Sequence, residues 1–128
     1  MEPHTMAKTI LVVDDSSSLR TLVKMSLTRA GYDVLEAGDG KAGLAQLDKA
    51  GKVHLVVSDV NMPIMDGITF VQEIKKHPRH KFTPVVMLTT EDEGAKMQQA
   101  KAAGAKAWLL KPFDPPSLLD AVTRLVLP

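Results

Sequence analysis

Four short apolar runs, at residues 10–13, 55–58, 85–88 and 107–110, each stop at residues able to do chemistry: Asp14 with Asp15, Asp59, Thr89 and Lys111. Each run is β-branched or leucine-rich, and helix-like segments lie between them. Near-continuous apolar character marks strands covered on both faces, as in a parallel sheet with helices on either side. As parallel strands, the four runs bring those five side chains to one edge of one sheet. That is the edge where open α/β sheets carry their sites. Three carboxylates gathered there repel one another unless a cation or a lysine compensates. The pattern therefore predicts a doubly wound α/β sandwich that holds a divalent metal beside one reactive aspartate.

The rest of the chain fits a strand–helix period repeated five times. A strand over 9–13 leads to a helix over 17–30, with Leu19, Leu22, Val23, Ser26 and Ala30 at helical spacing and Gly31 as its stop. A weaker strand over 33–37 precedes a helix over 40–50 that Gly51 ends. The third strand is expected over 53–58 and the loop over 60–64. The next helix runs from Asp66, its cap, to about Lys76, where His77-Pro78 breaks it. A strand over 84–89, a helix over 91–103 stopped by Gly104, and a strand over 105–110 follow. Asp114 caps the last helix, with Pro115 at its first position. Short connections make the crossovers right-handed. A polar tail at 1–7 and one domain over 8–128 account for the chain, with no second domain expected.

Composition narrows the function. The chain has 128 residues, 45% apolar and only 4% aromatic, so its core is aliphatic. A net charge of +1 gives no bulk attraction to nucleic acid. Lys75, Lys76, Arg79 and Lys81 read as a solvated surface, because no aromatics interleave them. The absence of cysteine excludes disulfides, zinc thiolates and cysteine nucleophiles. No secretory signal and no apolar run of membrane-spanning length is present, so a cytoplasmic protein is expected. His54, His77 and His80 share no metal-ligand spacing and read as structural or surface residues.

Mg²⁺ takes oxygen ligands in octahedral geometry and typically uses one or two carboxylates with phosphate oxygens and water. Asp15 and Asp59 suit that, with Asp14 acting through water. A carboxylate at the end of the central run suits attack on phosphorus, Lys111 supplies a point charge, and Thr89 a hydroxyl donor. Phosphoryl transfer depends chiefly on positioning and charge neutralisation.

The stretches Leu11-Val12-Val13-Asp14-Asp15-Ser16, Asp59-Val60-Asn61-Met62-Pro63-Ile64-Met65-Asp66-Gly67, Val86-Met87-Leu88-Thr89-Thr90 and Lys111-Pro112-Phe113 resemble the receiver domains of bacterial two-component response regulators, in particular stand-alone chemotaxis receivers. The resemblance spans about Lys8 to Leu127. It implies a five-stranded, flavodoxin-like sheet of order 2-1-3-4-5 and a cis Lys111–Pro112 bond. It implies Asp59 as phosphoacceptor from a histidine kinase, Mg²⁺ organised by Asp14, Asp15, Asp59 and the Asn61 backbone carbonyl, and Thr89 and Lys111 on the phosphoryl oxygens. The output would be a changed face of the fourth helix, fifth strand and fifth helix, presented to a downstream target protein. A monomer is expected, with weak dimerisation as the alternative.

Asn61 and Glu91 flank the expected water path, and the resemblance to chemotaxis receivers implies that such a pair gives fairly fast self-dephosphorylation, which Thr90 would slow by crowding. Trp108 stands where the family usually has Tyr or Phe. Its bulk predicts an outward indole that anchors a partner; the plain alternative is packing against the fourth helix. Two rivals share parts of the pattern. A phosphatase of the haloacid dehalogenase type needs an acid two residues after its nucleophile, where this chain has Asn61. A flavin carrier on the same sheet topology would purify coloured.

Overall fold

The computed structural model describes residues 7–90 and 94–128. Ten elements alternate without exception: β1 (Thr9–Val13), α1 (Ser17–Arg29), β2 (Asp33–Ala37), α2 (Gly40–Lys49), β3 (Leu55–Asp59), α3 (Gly67–Lys76), β4 (Val85–Thr89), α4 (Gly94–Ala103), β5 (Ala107–Leu110) and α5 (Pro115–Leu125). All pairings are parallel, and the sheet order is β2-β1-β3-β4-β5. Among the described residues no helix is long and apolar enough to cross a membrane.

The strands sort their side chains by parity. Leu11, Val13, Val56, Val85 and Met87 face one core, closed by Leu47 of α2, by Phe70, Val71 and Ile74 of α3 and by Ala100 of α4. Ile10, Val12, Leu55, Val57, Val86 and Leu88 face the other, closed by Val23 and Leu27 of α1 and by Leu118 and Val122 of α5. Burial on both faces is what the unbroken apolar runs demand. The helices are not seated equally. α3 buries four residues, whereas α4 buries only Ala100.

Helix starts follow the sequence closely. Ser16, Asp39 and Asp66 accept from the backbone N–H groups of Leu19, Ala42 and Thr69, each satisfying one of the unpaired donors of a first turn. Gly31 (φ 97°) and Gly104 (φ 117°) adopt the left-handed conformation that ends α1 and α4.

Three expectations need correction. Gly51 is not the left-handed stop of α2. The C-cap is Ala50 in an extended conformation, and the open carbonyls at that end are taken by the α3–β4 loop. Arg79 donates to Leu47 (3.4 Å), Asp48 (2.8 Å) and Ala50 (3.1 Å), and His80 Nε2–H donates to Leu47 at 3.0 Å. Arg79 is therefore a helix cap rather than a member of a free basic surface, and its charge suits a helix C-terminus. Second, β3 starts at Leu55, not Val53, because the His54 ring enters the edge of the ladder: the Thr9 N–H donates to Nδ1 at 3.0 Å. Third, β5 starts at Ala107, since Ala105 N–H still bonds back to Ala100 of α4.

The three internal histidines are structural. His77 accepts from the Arg79 N–H at Nδ1 and donates from Nε2 to Asp48 at 2.9 Å. His80 is 1% exposed. Burial holds its pKa below the ordinary 6.5, more than the Leu47 carbonyl restores, with His77 and Arg79 adding to the depression. A base with a depressed native pKa contributes stability that is complete above pH 6.5 and is lost as the pH falls towards the native value, at about 1.4 kcal/mol per unit of depression. His54, lowered by burial and by Lys52 and Lys8, adds in the same sense. The urea midpoint should thus fall between about pH 7.5 and about pH 5.5, and the imidazole resonances of His80 should titrate below pH 6.5. A His80 midpoint at or above 6.5 contradicts this account.

Candidate functional site

Parallel strands end on the same side, so the C-terminal ends of β1, β3, β4 and β5 deliver their last side chains to one cleft. At the end of β1, Asp14 remains on the ladder through its N–H to Ala37 (3.1 Å). Its Oδ1 then accepts from Ser16 N–H at 2.9 Å, an Asx turn. That turn holds the Asp14 carboxylate inside, fully buried, while Asp15 emerges on the exposed rim. Arg20 closes the turn from α1, donating to the Asp14 carbonyl at 2.6 Å and pairing with Glu36 of β2 at 3.2 Å.

Asp59 ends β3 and is 6% exposed. Its Oδ1 accepts from Val60 N–H and from the Lys111 ammonium, both at 2.9 Å. No hydrogen bond or ion pair to its Oδ2 is found among the described residues. The strand end is fixed from below by α3. Gly67 N–H donates to the Val60 carbonyl at 2.7 Å, and a Cβ on Gly67 would overlap the Asp59 carbonyl oxygen as well as Met87 and Val60. Glycine is required here for close approach rather than for a left-handed turn: its φ is not in the left-handed range.

Lys111 follows β5 and forms a cis bond to Pro112, as the resemblance implied. Its ammonium lies 2.9 Å from Asp59 and 3.5 Å from Asp14. Burial opposes its charge, but the bond to Asp59 and the charges of Asp59 and Asp14 outweigh that and raise its pKa. Asp59 is displaced the other way from a usual acid in an ion pair. Burial, helped by the Asp14 charge, raises its pKa despite the Lys111 bond. The carboxyl oxygens of Asp14, Asp15 and Asp59 reach within 4.8 Å of one another. Such a set of hard oxygen donors around one point suits a hard divalent cation.

Thr89 is fully buried at the end of β4, and its hydroxyl donates to the Thr90 carbonyl at 3.2 Å. Thr90 is exposed at the cleft mouth, beside Lys111 in a groove of about 460 Å³ that Leu19, Leu22, Pro112 and Phe113 complete. Asn61 is exposed, and Lys96 of α4 donates to its side-chain oxygen. Glu91, expected on the water path, lies outside the described residues. Trp108 does not stand out as a free anchor. It is half-buried on the α3–α4 side, beside Met87 in register, and packs partly on that core. This favours the plainer alternative of packing. Arg20 and Lys96 went unnoticed in the sequence because lone basic residues on helices carry no periodic signal.

The comparisons agree with this geometry. Residues 10–123 match the family model of the response regulator receiver domain. The chain is 40% identical over 112 residues to the chemotaxis protein CheY1 of Helicobacter pylori, covering 87% of this chain and 90% of that one. It is similar to the chemotaxis response regulator CheY4 of Vibrio cholerae, with a TM-score of 0.88 and 45% identity over 94% of this chain and all of that one. The receiver domain of a Pseudomonas aeruginosa sensor histidine kinase, solved with magnesium in its active-site cleft, shares the fold at a TM-score of 0.85 and 23% identity, covering 94% of this chain and 98% of that one. The chain belongs to the response regulator receiver domain family. Within it, the chain is a phosphorylation-dependent response regulator of the CheY type: a signalling protein whose own chemistry is confined to its phosphoryl group.

Charge crowding sets a stability prediction. An acid whose native pKa is raised stabilises the fold only when protonated, and that contribution is lost as the pH rises through its native pKa. At neutral pH the metal-free protein should therefore gain on the order of 1 kcal/mol from Asp59→Asn. Lys111→Ala should lose about 1.5–3 kcal/mol, the worth of a hydrogen bond to a charged group. Urea melts in EDTA test both; destabilisation by Asp59→Asn would refute the crowding argument.

Proposed function

We propose that Asp59 accepts a phosphoryl group from the phosphohistidine of a partner histidine kinase, and that the modified chain exchanges partners at the α4–β5–α5 face. The observation that carries this reading is the Asp59 carboxylate itself. One oxygen is anchored by Val60 and Lys111, and the other is open to a cleft walled by Asp14 and Asp15.

The chain's own residues account for most of the chemistry. Anchoring Oδ1 orients the carboxylate so that Oδ2 attacks phosphorus; the phosphorus–nitrogen bond breaks and its electron pair returns to the donor imidazole. Lys111 lies close enough to Asp59 to move onto a phosphoryl oxygen, and the Thr89 hydroxyl, next along the cleft, supplies a donor for another. Asp14, Asp15, Asp59 and the Asn61 carbonyl would hold Mg²⁺, which supplies charge neutralisation at the phosphoryl oxygens. Burial raises the pKa of Asp59, which strengthens its carboxylate as a nucleophile.

Two surfaces support the partner assignments. Leu22 and Met25 of α1 are 47% and 49% exposed, and Leu22 lines the apolar groove that opens beside Lys111, a fitting seat for the donor's helix. On the other side, α4 is anchored by little besides Ala100, and Trp108 is only half covered. A small shift of Thr89 would be felt there at low energetic cost, which suits a face that changes with phosphorylation. The similarity to chemotaxis receivers supports a cytoplasmic signalling role with a separate target protein.

Small phosphodonors with Mg²⁺ should add one phosphoryl group at Asp59, EDTA should prevent it, and Asp59→Asn should abolish it, as read by intact-mass and peptide mass spectrometry. A phosphoryl group found on another residue of the wild type would sink the proposal. Thr90→Ala should hasten loss of the phosphoryl group by a few-fold, since removing the side chain opens the cleft mouth to water; an unchanged or slower decay removes Thr90 from the account.

A further inference from the structure

The β3–α3 loop carries a backbone feature that ordinary side chains avoid. Ile64 has a φ of 69°, the one positive φ at a non-glycine residue among those described. A β-branched side chain is a true outlier in that region, because its branches crowd the adjacent backbone. The conformation is held from both sides. Met65 N–H donates to the Pro63 carbonyl across Ile64 at 2.7 Å, and the Met65 carbonyl accepts from Gly40 N–H at 3.2 Å. Met62 and Met65 both pack on the core. A Cβ on Gly40 would fall 2.8 Å from Met65 Cγ, so α2 and the loop interlock there. Yet Ile64 gains no burial in return: it is 78% exposed. For the isolated chain this residue combines strain with an apolar side chain left in water, and such outliers gather at functional sites.

Its position indicates what covers it. Ile64 lies three residues before Gly67, hence within about 11 Å of it at full extension, and Gly67 abuts the Asp59 carbonyl. A standard interface buries about 800 Å² per partner, a disc of roughly 16 Å radius. An interface of that size centred on Asp59 has Ile64 within its radius. Resting on the reading of Asp59 as phosphoacceptor, we infer that Ile64 is a specificity-determining contact, held out by its strained turn to meet an apolar surface of the phosphodonor protein near the transferring histidine.

Two variants separate the strain from the contact. Ile64→Asn relieves the strain, since asparagine tolerates a positive φ, and removes the apolar surface. Ile64→Leu removes the β-branch and keeps the apolar surface. Each is assayed with a small phosphodonor and with the phosphorylated histidine kinase of the source organism that modifies the wild type fastest. Ile64→Asn should melt at least about 2 °C higher and accept from the small donor at a rate within about twofold of wild type. From the kinase it should accept about five- to tenfold more slowly. Ile64→Leu should keep the kinase rate within about twofold. Undiminished transfer from the kinase to Ile64→Asn overturns the inference. Equal slowing with both donors also overturns it, since that marks damage to the site rather than a lost contact. If the wild type takes no phosphoryl group from the small donor at Asp59, the phosphoacceptor reading itself falls, and this inference with it.

Discussion

The site depends on one ammonium group set between two buried carboxylates. Asp14 and Asp59 are drawn together by strand geometry alone, since β1 and β3 are neighbours in register and both end at the cleft. Left to themselves, two carboxylates at that depth would repel each other. Lys111, arriving from the end of β5, two positions from β3 and three from β1, offsets part of that repulsion. The sign of each pKa displacement reports the balance: the lysine is stabilised in its charged form, while Asp59 remains harder to ionise than a free acid. The cluster is thus under-neutralised, and an incoming cation meets a place already short of positive charge.

Most of this was readable from residue order. In a parallel sheet every strand ends on the same side, so a run of apolar residues followed by Asp, Asp, Thr or Lys already specifies a shared edge. That logic brought Asp14, Asp15, Asp59 and Lys111 together without knowledge of a single distance. What escaped were contacts with no period. Arg79 closes the end of α2 across about thirty positions of chain, and Lys96 reaches Asn61 from a helix whose own faces show no apolar stripe. Strand edges slipped where a side chain imitates the backbone, as the His54 ring does for Thr9. Trp108 stands between the two readings of it, half-buried rather than free or enclosed. Bulk argued against the interior, but the shallow seat of α4 leaves room for an indole to be half covered.

The helices also divide by how they are secured. α2 is gripped at its C-terminus by Arg79 and His80 and at its N-terminus by the Asp39 cap and the Met65 carbonyl. α3 is pressed against Asp59 and has the deepest apolar face of the α2–α3–α4 side. α4 has little of either. These differences follow from sequence. α3 reads Gly-Ile-Thr-Phe-Val-Gln-Glu-Ile, with large residues three and four apart, whereas α4 reads Gly-Ala-Lys-Met-Gln-Gln-Ala-Lys, with almost nothing to bury.

The glycine at position 67 has a consequence for the direction in which a disturbance at Asp59 can travel. With no Cβ, α3 lies directly against the backbone of β3 at Asp59, and close-packed interiors resist compression. Added volume on the Asp59 side chain finds an incompressible abutment beneath it and an Arg20-tied turn on the β1 side. On the opposite side stand Thr89 and Lys111, next to the element with the shallowest anchorage. Resistance to movement around Asp59 is therefore unequal: the α3 side is tightly packed and the α4 side shallowly held.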